Sequence, residues 1–311
     1  RTRMQTQHDK SSQDCTIFLN RIKSTVAQMV QRFQMKQAAD ADKRTNISKS
    51  GVLDTCSMIN YRWSEDIFLK NETHEDGKNH GIVMYLDWSG SMNNILKDTI
   101  DQLLILTEFC KKVNIPFDVY AFTSKQLKGL DEEGHVCQHD HNDKDTLSCH
   151  NFSLLQFLSS DMKTSEYKIA VQRLYHLSSN QGYYSGHYPH ELGLGCTPLN
   201  EAIMCAFTQI PEFQAKHGVQ IVNTVFLTDG DGSSIGGGRG YGSEKSIIHD
   251  PKTRKDYELS EDHYSAETNT YLKILQERTG SNIIGIRLTT TKTVQNLQYR
   301  YFPNQNLNAH A

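Results

Sequence analysis

Three side chains with oxygen donors stand two residues apart in Asp87-Trp88-Ser89-Gly90-Ser91, directly after the apolar run Gly81 to Leu86. A fourth side chain with oxygen donors, Asp229, directly follows the strand-like segment 219–228 and is followed by Gly230. In a turn leaving a strand, intervals of two aim Asp87, Ser89 and Ser91 at one point, and Gly90 lets the backbone bend between them. Carboxylates and hydroxyls suit a hard divalent cation: Mg²⁺ takes oxygen ligands in an octahedron and is commonly held by one or two carboxylates with water. A coordination position left open would accept a carboxylate from a partner.

These residues need elements that bring them together. Residues 81–86 form a short buried strand by their continuous apolar character. Residues 93–113 carry Ile95, Ile100, Leu103, Leu104, Leu106 and Phe109 at helical spacing, and 115–122 form a second strand. That is a strand–helix–strand unit long enough for a parallel crossover. Residues 219–228 and 282–288 are the third and fourth strands. Residues 198–209 and 261–279 are helices, with Pro198 in a first turn. The alternation predicts an α/β layered fold, a mainly parallel central sheet flanked by helices. In such sheets ligands lie beyond the carboxyl ends of the strands, where Asp87 and Asp229 both fall.

Ahead of this lies a helical N-terminal extension, residues 1–80. Residues 1–14 are polar and expected to be flexible. Residues 15–38 form a helix with Ile17, Phe18, Ile22, Val26, Met29, Val30 and Phe33 three and four apart. Residues 39–50 are expected to be a linker or loop, and 71–80 a polar turn. A long insertion spans 123–196: a polar loop over 123–152, one or two helices over 153–178, and a Gly- and Tyr-rich loop over 179–197. Residues 230–243 form a glycine-rich loop, and 291–311 a tail.

Asp87-x-Ser89-x-Ser91 after a strand resembles the metal-ion-dependent adhesion site of the von Willebrand factor A family. The likeness extends to Thr197 in Gly195-Cys196-Thr197-Pro198-Leu199, just before a helix, and to Asp229 in Leu227-Thr228-Asp229-Gly230. It spans 81–290 and implies a Rossmann-like von Willebrand A domain. It also implies roles: Ser89 and Ser91 bind the metal directly, Thr197 switches between direct and water-mediated coordination, and Asp87 and Asp229 act directly or through water. The implied ion is Mg²⁺ or Mn²⁺, and the implied contact is a protein partner that supplies a carboxylate. The bland alternative has both aspartates capping helices and the serines stabilising a turn.

The approach to the motif, Lys49-Ser50-Gly51-Val52-Leu53-Asp54, then Tyr61-Arg62 and Asp66-Ile67-Phe68, is similar to intracellular A-domain subunits that work with MoxR-type AAA+ ATPases. It is especially similar to the CobT-like subunit of cobaltochelatase, and homologues of that type occur in tailed bacteriophages. The implied function is an adaptor or subunit of an AAA+ ATPase complex. The alternative is a cobaltochelatase subunit acting in cobalt insertion into a corrin ring. The long acidic segment that often precedes the A domain in the chelatase subunit is absent here.

Composition narrows the classes. The 311 residues carry 36 acids and 33 bases, a formal net charge of −3, which does not resemble a general nucleic-acid binder. No apolar stretch of about 18 residues exists, so no membrane span is expected. The chain opens Arg1-Thr2-Arg3 with no apolar signal segment, which suggests a piece of a longer polypeptide or a processed one. Seven irregularly spaced cysteines, with Cys110 and Cys205 inside apolar helical patterns, favour a reducing cytoplasmic compartment (the host cytoplasm for a phage protein).

Other features keep two readings each. His135, Cys137, His139, His141, Cys149 and His150 bind Zn²⁺ or form a solvated loop; their spacing fits no standard zinc template. Gly236 to Gly242 lacks the pattern of a phosphate-binding loop and is expected to be mobile beside the metal site. Tyr183, Tyr184, His187, Tyr188 and His190 form a partner surface or pack their loop onto the domain. Trp88 is an exposed contact at the metal rim or packs behind the loop. No nucleophile elbow and no HExxH helix occurs, so the sequence offers no sign of catalysis by this chain alone.

Overall fold

A computed structural model of the chain describes residues 3–53, 68–74, 79–124, 152–180, 192–230, 232, 247–258 and 264–289. In chain order these form α1 (Arg3–Arg44), β1 (Thr45–Leu53), β2 (Phe68–His74), β3 (His80–Asp87), a 3-10 turn (Ser91–Asn94), α2 (Leu96–Lys112), β4 (Phe117–Thr123) and β5 (Ser153–Ser159). There follow α3 (Thr164–Asn180), α4 (Leu199–His217), β6 (Ile221–Thr228), β7 (Ile247–Asp250), β8 (Lys255–Glu258), α5 (Tyr264–Thr279) and β9 (Asn282–Arg287).

The central sheet has the order β5-β4-β3-β6-β9. β3 pairs in parallel with β4 on one side and β6 on the other, and β6 pairs in parallel with β9. Only β5 runs antiparallel, along the free edge of β4. The fold is a Rossmann-like α/β layer. β1 with β2, and β7 with β8, form separate antiparallel pairs.

The continuous apolar runs follow from burial on both faces of the sheet. Successive side chains of β3 alternate: Met84 and Leu86, with Trp88 just past the strand, join the core under α1, α2 and α3, while Val83 and Tyr85 join the core under α4. Each fully buried side chain of this size contributes roughly 1.5–3 kcal/mol through removal from water. The α1 residues Cys15, Phe18, Ile22 and Val26, spaced three and four apart, belong to the first of these cores. The amino-terminal helix therefore packs into the same apolar layer as the sheet.

Several expectations are corrected. The first helix is not confined to 15–38 but covers the polar segments on both sides of it, from Arg3 to Arg44. The segments expected as a linker and a polar turn, 39–50 and 71–80, overlap strands β1 and β2, which pair with each other. Residues 153–159, expected as helix, are strand β5: Ser153-Leu154-Leu155-Gln156-Phe157-Leu158-Ser159 suits either period, and the unpaired edge of β4 selects the strand. α4 passes through Pro211 to His217 and ends on Gly218 at φ 61°, beyond the stop a proline signals in sequence. The hairpin β7–β8 was not expected.

Candidate metal centre

The chain order of the sheet reverses at β3, whose neighbours β4 and β6 lie on opposite sides. Such a switch point opens a crevice beyond the carboxyl ends of the strands. Leu86 is in register with Leu227, so Asp87 and Thr228 end β3 and β6 side by side. Thr228 Oγ1 donates to Asp87 Oδ2 at 2.7 Å. The Gly230 amide in turn donates to Thr228 Oγ1 at 3.2 Å, which folds the Asp229 turn back onto its strand.

The predicted ligands converge. Ser89 Oγ lies 3.0 Å from Ser91 Oγ, and Ser91 Oγ donates to Asp229 Oδ1 at 2.8 Å. The Thr197 segment is tied to the Ser89 turn by backbone: the Gly90 amide donates to the Gly195 carbonyl at 2.8 Å, and the Gly195 amide donates to the Trp88 carbonyl at 3.1 Å. A hydrogen bond from the Cys196 amide to Ser124 Oγ at 2.7 Å anchors the other side. Glycine suits position 195, because a Cβ would stand 2.6 Å from Ser124 Oγ and 2.7 Å from Thr123 Oγ1, so that a side chain there forces its neighbours to shift.

Asp87 is fully buried, and its Oδ1 makes no hydrogen bond. Burial pushes its carboxyl up to about 6; the nearby hydroxyls of Thr228, Ser89 and Thr197 pull it back, while the Asp229 charge pushes it further up. Ser89 is buried, Asp229 half-buried and Ser91 exposed, so the cluster opens outward on the Ser91 side. A buried carboxylate oxygen without a donor is costly in itself and is stabilised by a cation placed against it.

The donor set is two carboxylates and three hydroxyls, which fits a hard cation. Among the described residues no three His, Cys, Asp or Glu side chains form a metal-binding group. Sequence reasoning missed Thr228, Gly195 and Ser124. Thr228 was adjacent to a chosen ligand, but neither partner of Gly195 is near it in sequence.

Trp88 packs behind the turn. It is fully buried, its Nε1 donates to the Leu192 carbonyl at 2.9 Å, and its ring meets Phe157 edge-on with centroids 5.0 Å apart. The His/Cys segment 135–150 proposed for Zn²⁺, the Tyr/His segment 183–190 and the glycines 236–242 lie outside the described residues. Cys110 is buried as expected, whereas Cys205 is only half-buried. Among the described residues no helix is long and apolar enough to cross a membrane.

The chain matches no family model and no curated protein. Among solved structures it is similar to the pilus adhesin SpaC from Lactobacillus rhamnosus GG in its open conformation, at 14% identity and a TM-score of 0.38, over 72% of this chain and 27% of that one. It is also similar to the pilus adhesin RrgA from Streptococcus pneumoniae, at 12% identity and a TM-score of 0.30, over 50% and 21%. The chain thus spans less than a third of the length of either adhesin.

Proposed function

We propose that this chain is a metal-dependent protein-interaction module of the von Willebrand A type, acting as an adaptor or subunit of a MoxR-type AAA+ ATPase complex in the cytoplasm. The observation that carries the metal-dependent reading is Asp87 Oδ1, buried without a hydrogen-bond donor where Ser89, Ser91, Thr197 and Asp229 gather. Those five residues would hold Mg²⁺ or Mn²⁺, which would supply a Lewis-acidic position for a carboxylate of the partner. The residues of the chain divide the work. Asp87 and Asp229 neutralise charge, Ser89 and Ser91 present hydroxyl oxygens, and Thr228 holds the Asp87 carboxylate in one orientation. The exposed Ser91 marks the side from which a partner approaches. The ATPase partner rests on the sequence resemblance around Lys49 to Phe68.

Calorimetric titration with Mg²⁺ and Mn²⁺ tests the centre. The wild type is expected to bind, and the Asp87→Ala/Ser89→Ala double variant to lose binding. Equal binding by both proteins, or by neither, would sink the assignment. Capture of a purified MoxR-type ATPase, lost in EDTA and restored by Mg²⁺, then tests the partner.

A further inference from the structure

The amino-terminal helix is fastened to the domain along one stripe and presents a second beside it. Phe18 meets Tyr175 of α3 with ring centroids 5.3 Å apart, and Phe33 meets Phe109 of α2 edge-on at 5.6 Å. Cys15, Phe18, Ile22 and Val26 are buried on the fastened stripe. Leu19, Lys23 and Ala27 each follow one of the last three by a single position, about 100° further round the helix. That neighbouring stripe, continued by Val30, lines a groove of about 780 Å³ to which α2 and α3 also contribute.

The groove is long, apolar along its floor and basic at its rim. Its α1 lining runs from Thr16 to Gln34, about 27 Å at the helical rise per residue. Leu19 and Val30 are half-buried and Ala27 is exposed, so part of this apolar surface stays open to solvent. Lys23 from α1, Lys112 from α2 and Lys168 from α3 line the groove, and all three are exposed. No ion pair joins any of them to an acid among the described residues. Glu108, the one acid among the lining residues, is a hydrogen-bond partner of Tyr167. Over 12–39, α1 carries Arg21, Lys23, Arg32 and Lys36 against Asp14 alone, in a chain whose net charge is −3. Exposed lysines are ordinarily a solvated surface, but these three come from separate helices to one apolar floor.

We propose that this groove is the docking seat for an acidic amphipathic helix of a partner protein. Its apolar face would lie on Leu19, Val26, Ala27 and Val30, and its carboxylates would stand against Lys23, Lys112 and Lys168. An amphipathic helix lays apolar residues spaced three and four apart into a groove of this kind, and about 18 residues of helix span its length. Apolar contact supplies most of the affinity, because exposed ion pairs are worth little singly. The lysines select the sign of the partner and speed its approach. The groove shares no residue with the metal centre, so the seat does not depend on that centre being correctly assigned.

The full chain would be titrated into a fluorescent peptide of about 18 residues, with leucines on one helical face and glutamates on the other, and followed by anisotropy. Two comparison peptides carry lysine in place of glutamate, or serine in place of leucine. The protein variants are Lys23→Glu/Lys168→Glu and Ala27→Glu, all at exposed positions, with circular dichroism and Tm as the check on folding. The acidic peptide is expected to bind the wild type, less tightly as salt rises. Both comparison peptides, and both variants with the acidic peptide, are expected to bind roughly tenfold more weakly or worse. No binding of the acidic peptide, equal binding of the acidic and basic peptides, or unchanged binding by the variants would overturn the proposal. The peptide comparison on the wild type decides the matter even where a variant fails to fold. Two other occupants are read in parallel, by sedimentation with anionic phospholipid vesicles and by sedimentation velocity of the chain alone. Vesicle binding or self-association that the variants lose, without peptide binding, would assign the groove to a membrane surface or a second copy and overturn the proposal as well.

Discussion

Thr228 Oγ1 donates to Asp87 Oδ2 across 2.7 Å, a bond between two strand ends 141 residues apart in the chain. It occupies Asp87 Oδ2, while Oδ1 is buried and makes no hydrogen bond, the position the proposed cation would take. Groups that orient metal ligands in this way matter nearly as much as the ligands.

Replacing Thr228 with Val keeps the shape and removes the hydroxyl. Mn²⁺ affinity is expected to fall roughly 10–100-fold, with the circular dichroism spectrum unchanged. Thr228→Ser, which restores a donor, should recover most of the affinity. Wild-type affinity in the Val variant would show that the bond does not orient the ligand.

Gly195 is where the Thr197 segment meets both the Ser89 turn and the end of β4. A methyl group there collides with Ser124 Oγ and Thr123 Oγ1, and the Ser124 amide is 3.0 Å away. Gly195→Ala is expected to destabilise the fold by about 1–3 kcal/mol in denaturant titration, as overpacking does. It should also weaken metal binding, because relieving the clash pulls Thr197 away from Asp87. Gly195→Ala combined with Ser124→Ala removes one of the two hydroxyls and should regain part of both losses.

Asp250 tests the electrostatics of the β7–β8 hairpin. Hydrogen bonds from Arg278 hold its carboxyl well below the usual carboxylate range, with Thr253 and the Lys252 amide adding to this against the opposing effect of desolvation. A depressed folded-state pKa contributes stability that is present in full above the ordinary value of 3.8 and is lost as pH falls through the folded value. Asp250→Asn is therefore expected to cost on the order of 2 kcal/mol at neutral pH. The gap from wild type should shrink in unfolding measurements below the ordinary carboxylate pKa. A gap independent of pH would rule out the ionised pair as its source.

The strand ends that carry the candidate metal-site motif were legible because their signals are local. Asp87 follows the continuous apolar run 81–86 and Asp229 the β-branched and aromatic run 219–228, patterns that suit buried strands, and β3 and β6 are such strands. Less was legible where local signals conflict. Residues 153–159 carry apolar side chains consistent with either period, and Pro211 reads as a helix stop although α4 continues past it. The polar residues 45–50 and 71–74 read as loops because they carry no apolar run; β1 and β2 pair with each other, apart from the central sheet.

The sequence by itself determined the alternation of strands and helices, the strand ends at which Asp87 and Asp229 stand, and the oxygen-rich chemistry of Asp87, Ser89, Ser91, Thr197 and Asp229. These follow from side-chain type and spacing, which act over a few residues. The tertiary structure decided that Trp88 faces the core beneath the turn, that β5 takes the antiparallel edge of β4, and that position 195 is crowded enough to favour glycine. It also decided that Thr228 occupies one oxygen of Asp87 while the other stays unpaired. Each of these is a contact between segments distant in the chain, set by which faces of the sheet the helices cover, and no local spacing encodes it.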